Sequence, residues 1–133
     1  MELSITVSPG ELIDRITILE IKRERISDPD KLRNVDRAYV ALSKALSAGI
    51  PSTPRLAELS KELKAVNEAL WQAEDDLRDH EHRQIFDGHF IDAARAVYIG
   101  NDRRSELKRQ IDELLGSSLI EEKFYKMSVP SQS

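Results

Sequence analysis

The stretch SPGELIDRITILEIKRERI, Ser8 to Ile26, constrains the fold most. It opens with a full helix-start signal: Ser8 as N-cap, Pro9 at the first helical position and Glu11 three residues after the cap. At about 100° per residue, Leu12, Ile16, Leu19 and Ile26 form one apolar stripe. Ile13 and Glu20 flank it, and Ile18 and Ile21 fall on the far side. A helix with aliphatic residues on several faces is surrounded by other elements. Asp14, Thr17, Glu20, Lys22 and Arg23 are threaded between those aliphatics, so some of them must be partly buried. An unpaired buried charge costs several kcal/mol. The helix therefore demands polar partners from whatever packs on it.

Residues 2–8, ELSITVS, alternate: Leu3, Ile5 and Val7 point one way and Ser4, Thr6 and Ser8 the other, the period of an extended segment. Such a segment pairs with the C-terminal residues or with a second chain, or it stands as a frayed arm. The first helix ends near Ser27, and Asp28-Pro29 caps a second one. Leu32, Val35, Tyr39, Leu42 and Leu46 give that helix a single apolar stripe, and Gly49 ends it. After the loop GIPSTP, Thr53-Pro54 opens the third and longest helix, running to about His80. Its stripe of Leu56, Leu59, Leu63, Val66, Leu70, Ala73 and Leu77 keeps the three–four spacing of bundle packing.

His80 to His89 reads as a turn, and a fourth helix begins at the cap Asp87 with Phe90, Ile91, Ala94, Val97 and Tyr98 on its apolar side. Gly100-Asn101-Asp102 either ends that helix and caps a fifth, or kinks one helix spanning 88–115. Leu107, Ile111, Leu114 and Leu115 carry the apolar face on to Gly116. Ser118 and Glu121 have capping-box spacing and start a short last helix through EEKFY. The expected architecture is all-α: a four- to five-helix bundle in one domain over residues 1–133, with 1–7 an extended arm and 127–133 a flexible tail.

Composition removes several function classes. The net charge is −4 and no Lys/Arg run tracks a phosphate backbone, so nucleic acid is not an expected partner. There is no cysteine, which excludes disulfides, thiol catalysis and thiolate metal sites and fits a reducing compartment. No run of about 20 apolar residues exists to span a bilayer, and no signal-peptide pattern opens the chain. A cytoplasmic protein with no membrane partner is the expectation.

Two constellations could carry chemistry. His80, His82 and His89 sit among Asp76, Asp79, Glu81, Asp87 and Asp92. His80 and His82 diverge by about 200° on a helix, and neither Asp76 with His80 nor His89 with Asp92 gives more than two ligands. No metal and no cofactor is therefore expected. The second constellation is polar and lies within the bundle. Asn67, Trp71, Glu74 and Arg78 are four, three and four apart on one flank of the third helix. Arg95, Tyr98 and Asp102 share a face further on, with Asn101 and Arg104 beside them, and Glu20 joins from the first helix. Mixed carboxylates and guanidinium groups there could form a structural ion-pair network. They could instead hold an anionic or sugar-like ligand, with arginine forks and Trp71 as a platform, or do acid–base work. If Glu74 and Arg78 are a buried structural pair, removing one partner costs about 3–5 kcal/mol.

Four stretches, SPGELIDRITILEIKRERI, LKAVNEALWQAEDDLR, FDGHFIDAARAVYIGNDRRSELKRQI and GSSLIEEKFY, occur in an order that resembles a family of small bacterial helical proteins catalogued only as a domain of unknown function. The resemblance covers nearly the whole chain and implies one helical domain with no assigned activity. Its motif positions here include Pro9, Gly10, Glu11, Asp14, Glu20, Asn67, Trp71, Glu74, Asp75, Arg78, Arg95, Tyr98, Asn101, Asp102, Lys108, Glu121 and Lys123. The polar members overlap the cluster reached from the helical wheel.

The functional expectation is a non-enzymatic interaction or small-ligand-binding module. Its candidate ligand-binding residues are Glu20, Asn67, Trp71, Glu74, Arg78, Arg95, Tyr98, Asn101, Asp102 and Arg104, and its expected partners are a second copy of the chain and a small anionic ligand. The alternative is an enzyme acting on an anionic or sugar-nucleotide substrate. There Glu20, Glu74 or Asp102 would serve as acid or base, and Arg78, Arg95 or Arg104 would clamp the anion.

Overall fold

The computed structural model describes residues 1–123 and 126. Four helices follow in order, α1 (Pro9–Arg25), α2 (Pro29–Gly49), α3 (Pro54–Arg83) and α4 (Gly88–Leu114), with no strand among the described residues. The fold is an all-α bundle. Each helix begins on the residue its sequence nominates. Ser8 Oγ accepts from the Glu11 amide at 3.2 Å, Asp28 from Asp30 at 3.3 Å, Thr53 from Leu56 at 3.2 Å, and Asp87 from His89 and Phe90 at 3.1 and 3.2 Å. These bonds satisfy first-turn amides that have no partner inside the helix.

Helices α1, α3 and α4 pack on one another, while α2 lies against α1 and, among the described residues, against no other helix. The core joins Ile13 to Leu56, Leu59, Leu63, Leu107 and Ile111, with Leu46, Ile50, Val66 and Leu115 packed around it. No residue of α2 is fully buried; its stripe of Leu32, Val35, Tyr39, Leu42 and Leu46 is half-buried. α1 is much shorter than α3 and ends beside Trp71, where the Arg25 guanidinium stands 5.9 Å from the indole centroid. Beyond that point α3 and α4 continue as a bare hairpin: within 72–99 only Ala73 and Ala93 are buried among the described residues.

Two expectations change and two alternatives left open are narrowed. First, α1 buries Gly10, Ile13, Asp14, Ile16, Thr17 and Ile21. The face turned to α3 and α4 is therefore the one carrying Asp14 and Thr17. Leu12 and Leu19, half-buried, point away from it. Second, α4 runs unbroken through Gly100. A Cβ at Gly100 would meet Leu70 Cδ2 at 2.7 Å, so this glycine lets α3 and α4 approach closely instead of ending a helix. Among the described residues there are accordingly four helices, the lower of the two expected numbers. Third, residues 118–123 form no helix; Phe124 and Tyr125, and the expected tail 127–133, lie outside the described residues. Residues 117–123 instead turn back along α4, where the Glu121 amide donates to Asp112 Oδ2 at 2.9 Å and Arg109 pairs with Glu122 at 2.9 Å. Fourth, residues 1–7 pair with no strand among the described residues, which leaves a frayed arm or pairing with a second chain, and Leu3 and Ile5 are 84% and 72% exposed.

Candidate functional site

The polar partners that α1 demands are supplied at two places, its N-terminus and its middle. At its N-terminus, Gly10 lies directly on α4, so close that a Cβ would strike the Lys108 carbonyl oxygen. The Gly10 amide donates to Asp112 Oδ1 at 2.7 Å, and Asp112 is fully buried. Beside it, Lys108 Nζ bridges Glu11 at 2.8 Å and Glu121 at 3.3 Å. Burial pulls the Lys108 ammonium down, but its hydrogen bond to Glu11 and the surrounding carboxylates outweigh that, and its pKa ends above the ordinary value. The same hydrogen bond from Lys108 holds the Glu11 carboxyl below its ordinary 4.5 against the opposing effect of burial.

Half-way along α1, Asp14 is only 1% exposed, and its carboxylate accepts three N–H groups. Asn67 Nδ2 donates to Oδ1 at 2.9 Å, Arg104 Nε donates to Oδ1 at 2.9 Å, and Arg104 Nη2 donates to Oδ2 at 2.5 Å. Asn67 Nδ2 also donates to Thr17 Oγ1 at 2.8 Å, and the Thr17 hydroxyl donates to the Asp14 carbonyl at 2.7 Å. The Asp14 carboxylate holds Arg104 above the ordinary arginine pKa despite burial. α1, α3 and α4 are thus stitched together by one charge pair and the Asn67 amide.

The donors of that pair face outward into a groove of about 370 Å³ where α1 stops short of the hairpin. Ile18, Ile21 and Leu70 form its apolar part. Asn67, Trp71, Glu74 and Arg78 come from α3 and Asn101 and Arg104 from α4, with Asp75 also lining it. Glu74 and Arg78 pair at 2.8 Å across one turn. Arg104 spends two of its five N–H groups on Asp14, and among the described residues no other acceptor holds the remaining three. Asn67 uses its amide nitrogen inward, which leaves its carbonyl oxygen for the groove.

Six of the ten candidate residues therefore meet in one place, and four do not. Glu20 turns to Lys64 at 3.4 Å, which Glu24 shares at 2.6 Å, away from the groove. Asp102 is buried and pairs with Lys123 of the returning C-terminal segment. Arg95 and Tyr98 are exposed and do not line the groove. The spacing of Arg95, Tyr98 and Asp102 fixes a common flank on α4, but not its direction; α1 and α3 meet the neighbouring flank, which carries Asn101 and Arg104. The wheel also passed over Asp14 as a site residue, and with it Thr17 and Asp75. The available signal was the spacing Gly10, Asp14, Thr17, Ile21, four, three and four apart, which marks them as one face.

Among the described residues, no group of three or more His, Asp and Glu side chains could hold a metal ion. His80 Nδ1 instead lies 2.8 Å from the Asp76 carbonyl oxygen, with Nε2 3.5 Å from the α4 cap Asp87. No described helix is long and apolar enough to cross a membrane. No curated protein and no solved structure matches this chain. Residues 3–133 match the family of unknown function DUF6165, and the chain belongs to that family.

Proposed function

We propose that this protein is a small-ligand-binding module and that its site is the groove beneath Trp71. The observation that carries the reading is the arrangement around Asp14. A buried carboxylate fixes Arg104 and Asn67 in place, while both residues keep hydrogen-bonding capacity turned toward an open, partly apolar concavity. Prefixed polar groups on an apolar wall are what small-molecule sites use, because the ordering of those side chains is already complete before the ligand arrives. The enzymatic alternative has less support. Of its acid–base candidates, Glu20 and Asp102 lie outside the groove and Glu74 is tied to Arg78.

Trp71 is the chain's sole tryptophan, so its emission reports directly on groove occupancy. Screening nucleotides, sugars and small organic acids should give at least one saturable change in Trp71 emission. The same compound should raise thermal stability, by about 2.7 kcal/mol at a hundredfold excess over Kd. Arg78→Met and Asn101→Ala, both at exposed positions, should weaken that response. A compound that stabilises the protein without moving Trp71 emission would place the site elsewhere, and silence across the screen would sink the reading. Self-association is a separate proposal, motivated by the exposed Leu3 and Ile5 of the arm. Deleting residues 1–7 without a change in mass by light scattering would eliminate its arm-mediated form.

A further inference from the structure

We infer that the ligand of this groove is a neutral, polyhydroxylated ring of single-sugar size and not an anion. The inference rests on the groove being the binding site and concerns what that site accepts. The first argument is charge. Arg78 and Arg104 are the cations lining the groove, with Arg25 beside it 5.9 Å from the Trp71 centroid, and Glu74 and Asp75 line it too. Glu74 already holds Arg78 at 2.8 Å, and Asp14 already holds Arg104 through two N–H groups. An incoming carboxylate or phosphate would have to share each guanidinium with a resident carboxylate and would lie close to three like charges. In a partly buried site that repulsion cancels the attraction.

The second argument is hydrogen-bond type. Each hydroxyl both donates and accepts. The groove offers both complements side by side: the free N–H groups of Arg104 and the Asn101 amide as donors, the Asn67 carbonyl and the Glu74 and Asp75 carboxylates as acceptors. An anion would leave the acceptors facing nothing they can bind. The third argument is shape. The indole of Trp71 with Ile18, Ile21 and Leu70 presents an apolar wall suited to the C–H face of a saturated ring. The volume of about 370 Å³ lies at the small end of the roughly 300–1,000 Å³ typical of ligand pockets. One ring fits within such a space, and a sugar nucleotide exceeds it.

The test titrates the full chain with charge-matched probes while reading Trp71 emission. The neutral set is the methyl pyranosides of glucose, galactose, mannose and N-acetylglucosamine; the charged set is glucuronate, glucose 6-phosphate and inorganic phosphate. The expected result is saturation by a neutral probe, with Kd changing less than about twofold when salt rises tenfold. Charged probes should bind at least about tenfold more weakly. Calorimetry on Trp71→Ala should show the neutral probe's affinity reduced at least about tenfold; unchanged affinity there would remove the ring from the groove and overturn the inference. Tighter binding of a charged probe, with affinity falling as salt rises, overturns the ligand class and leaves the groove as a site. If no probe of either set moves Trp71 emission, the ligand class falls, while the site reading is decided by the wider screen of nucleotides and organic acids.

Discussion

The two polar clusters on α1 use the same chemistry and end differently. Asp112 and Asp14 are both carboxylates with almost no exposure, and each is saturated by N–H donors. At Asp112 the donors are backbone amides, of Gly10 and Glu121, and each has a single hydrogen to give. Around them Lys108 holds both Glu11 and Glu121, and α1 sits on α4 with no room for a Cβ at Gly10. At Asp14 the donors are side chains with more hydrogen-bonding capacity than the carboxylate can use, and they line the groove beside α1. A charge network whose central donors are backbone amides ties helices together, and one whose donors are side chains with capacity to spare can also form the wall of a site.

That contrast breaks first at Asp14. Asp14→Ala leaves Arg104 half-buried without its partner, and chemical denaturation should show a loss of about 3–5 kcal/mol. A loss below about 1 kcal/mol would mean that Arg104 is solvated and that the charge pair does not organise the groove. At the closed end, Gly10→Ala forces a methyl group against the α4 backbone at Lys108, which cannot yield as a flexible side chain would. Its expected cost is about 1–3 kcal/mol, while Trp71 emission stays as in the parent.

Acid separates the ends by another route. The Glu11 carboxyl is held below its ordinary 4.5, chiefly by the Lys108 hydrogen bond. Its contribution is therefore fully present above about pH 4.5 and is lost as pH falls through the lower folded-state value. Stability profiles between pH 3 and 7 should slope downward on the acid side, and Glu11→Gln should flatten part of that slope. An unchanged profile in the variant would assign acid sensitivity to other carboxylates. Lys108 has the opposite sense: its raised value sustains stability below about pH 10.5 and loses it above.

The smallest effects belong to the groove rim. Arg78 and Glu74 have side chains 71% and 46% exposed, so their pair is a surface i,i+4 contact and not the buried bridge that could have cost several kcal/mol to break. Arg78→Met and Glu74→Gln should each move unfolding free energy by no more than about 0.5 kcal/mol. Their effect should fall on ligand affinity. If either variant destabilises strongly, the rim is structural and the contrast between the two ends narrows.

Local signals in the sequence were reliable where the physics is local. All four helix starts stand on the caps that the sequence nominates, Ser8, Asp28, Thr53 and Asp87, because capping is settled within three residues. The α3 stripe and the shared flank of Asn67, Trp71, Glu74 and Arg78 were legible for the same reason: periodicity fixes which residues lie together. Periodicity does not fix which way a face turns. Leu12 and Leu19 looked like the core stripe of α1, yet the core face carries Asp14 and Thr17, since Asn67 and Arg104 can satisfy them there.

Gly100 reads as a helix end in one dimension. It proves to be a spacer only once Leu70 of α3 lies against it, supplying packing that offsets the weak helix propensity of glycine. The sequence by itself determined an all-helical chain, its helix starts and the polar residues that could share a site. Only the packing of the helices settles that Asp14 fixes Arg104 and Asn67 beside the groove, and that Glu20, Arg95, Tyr98 and Asp102 stand outside it. Those outcomes depend on where α1 stops relative to α3 and α4, a distance between helices that no spacing along one helix encodes.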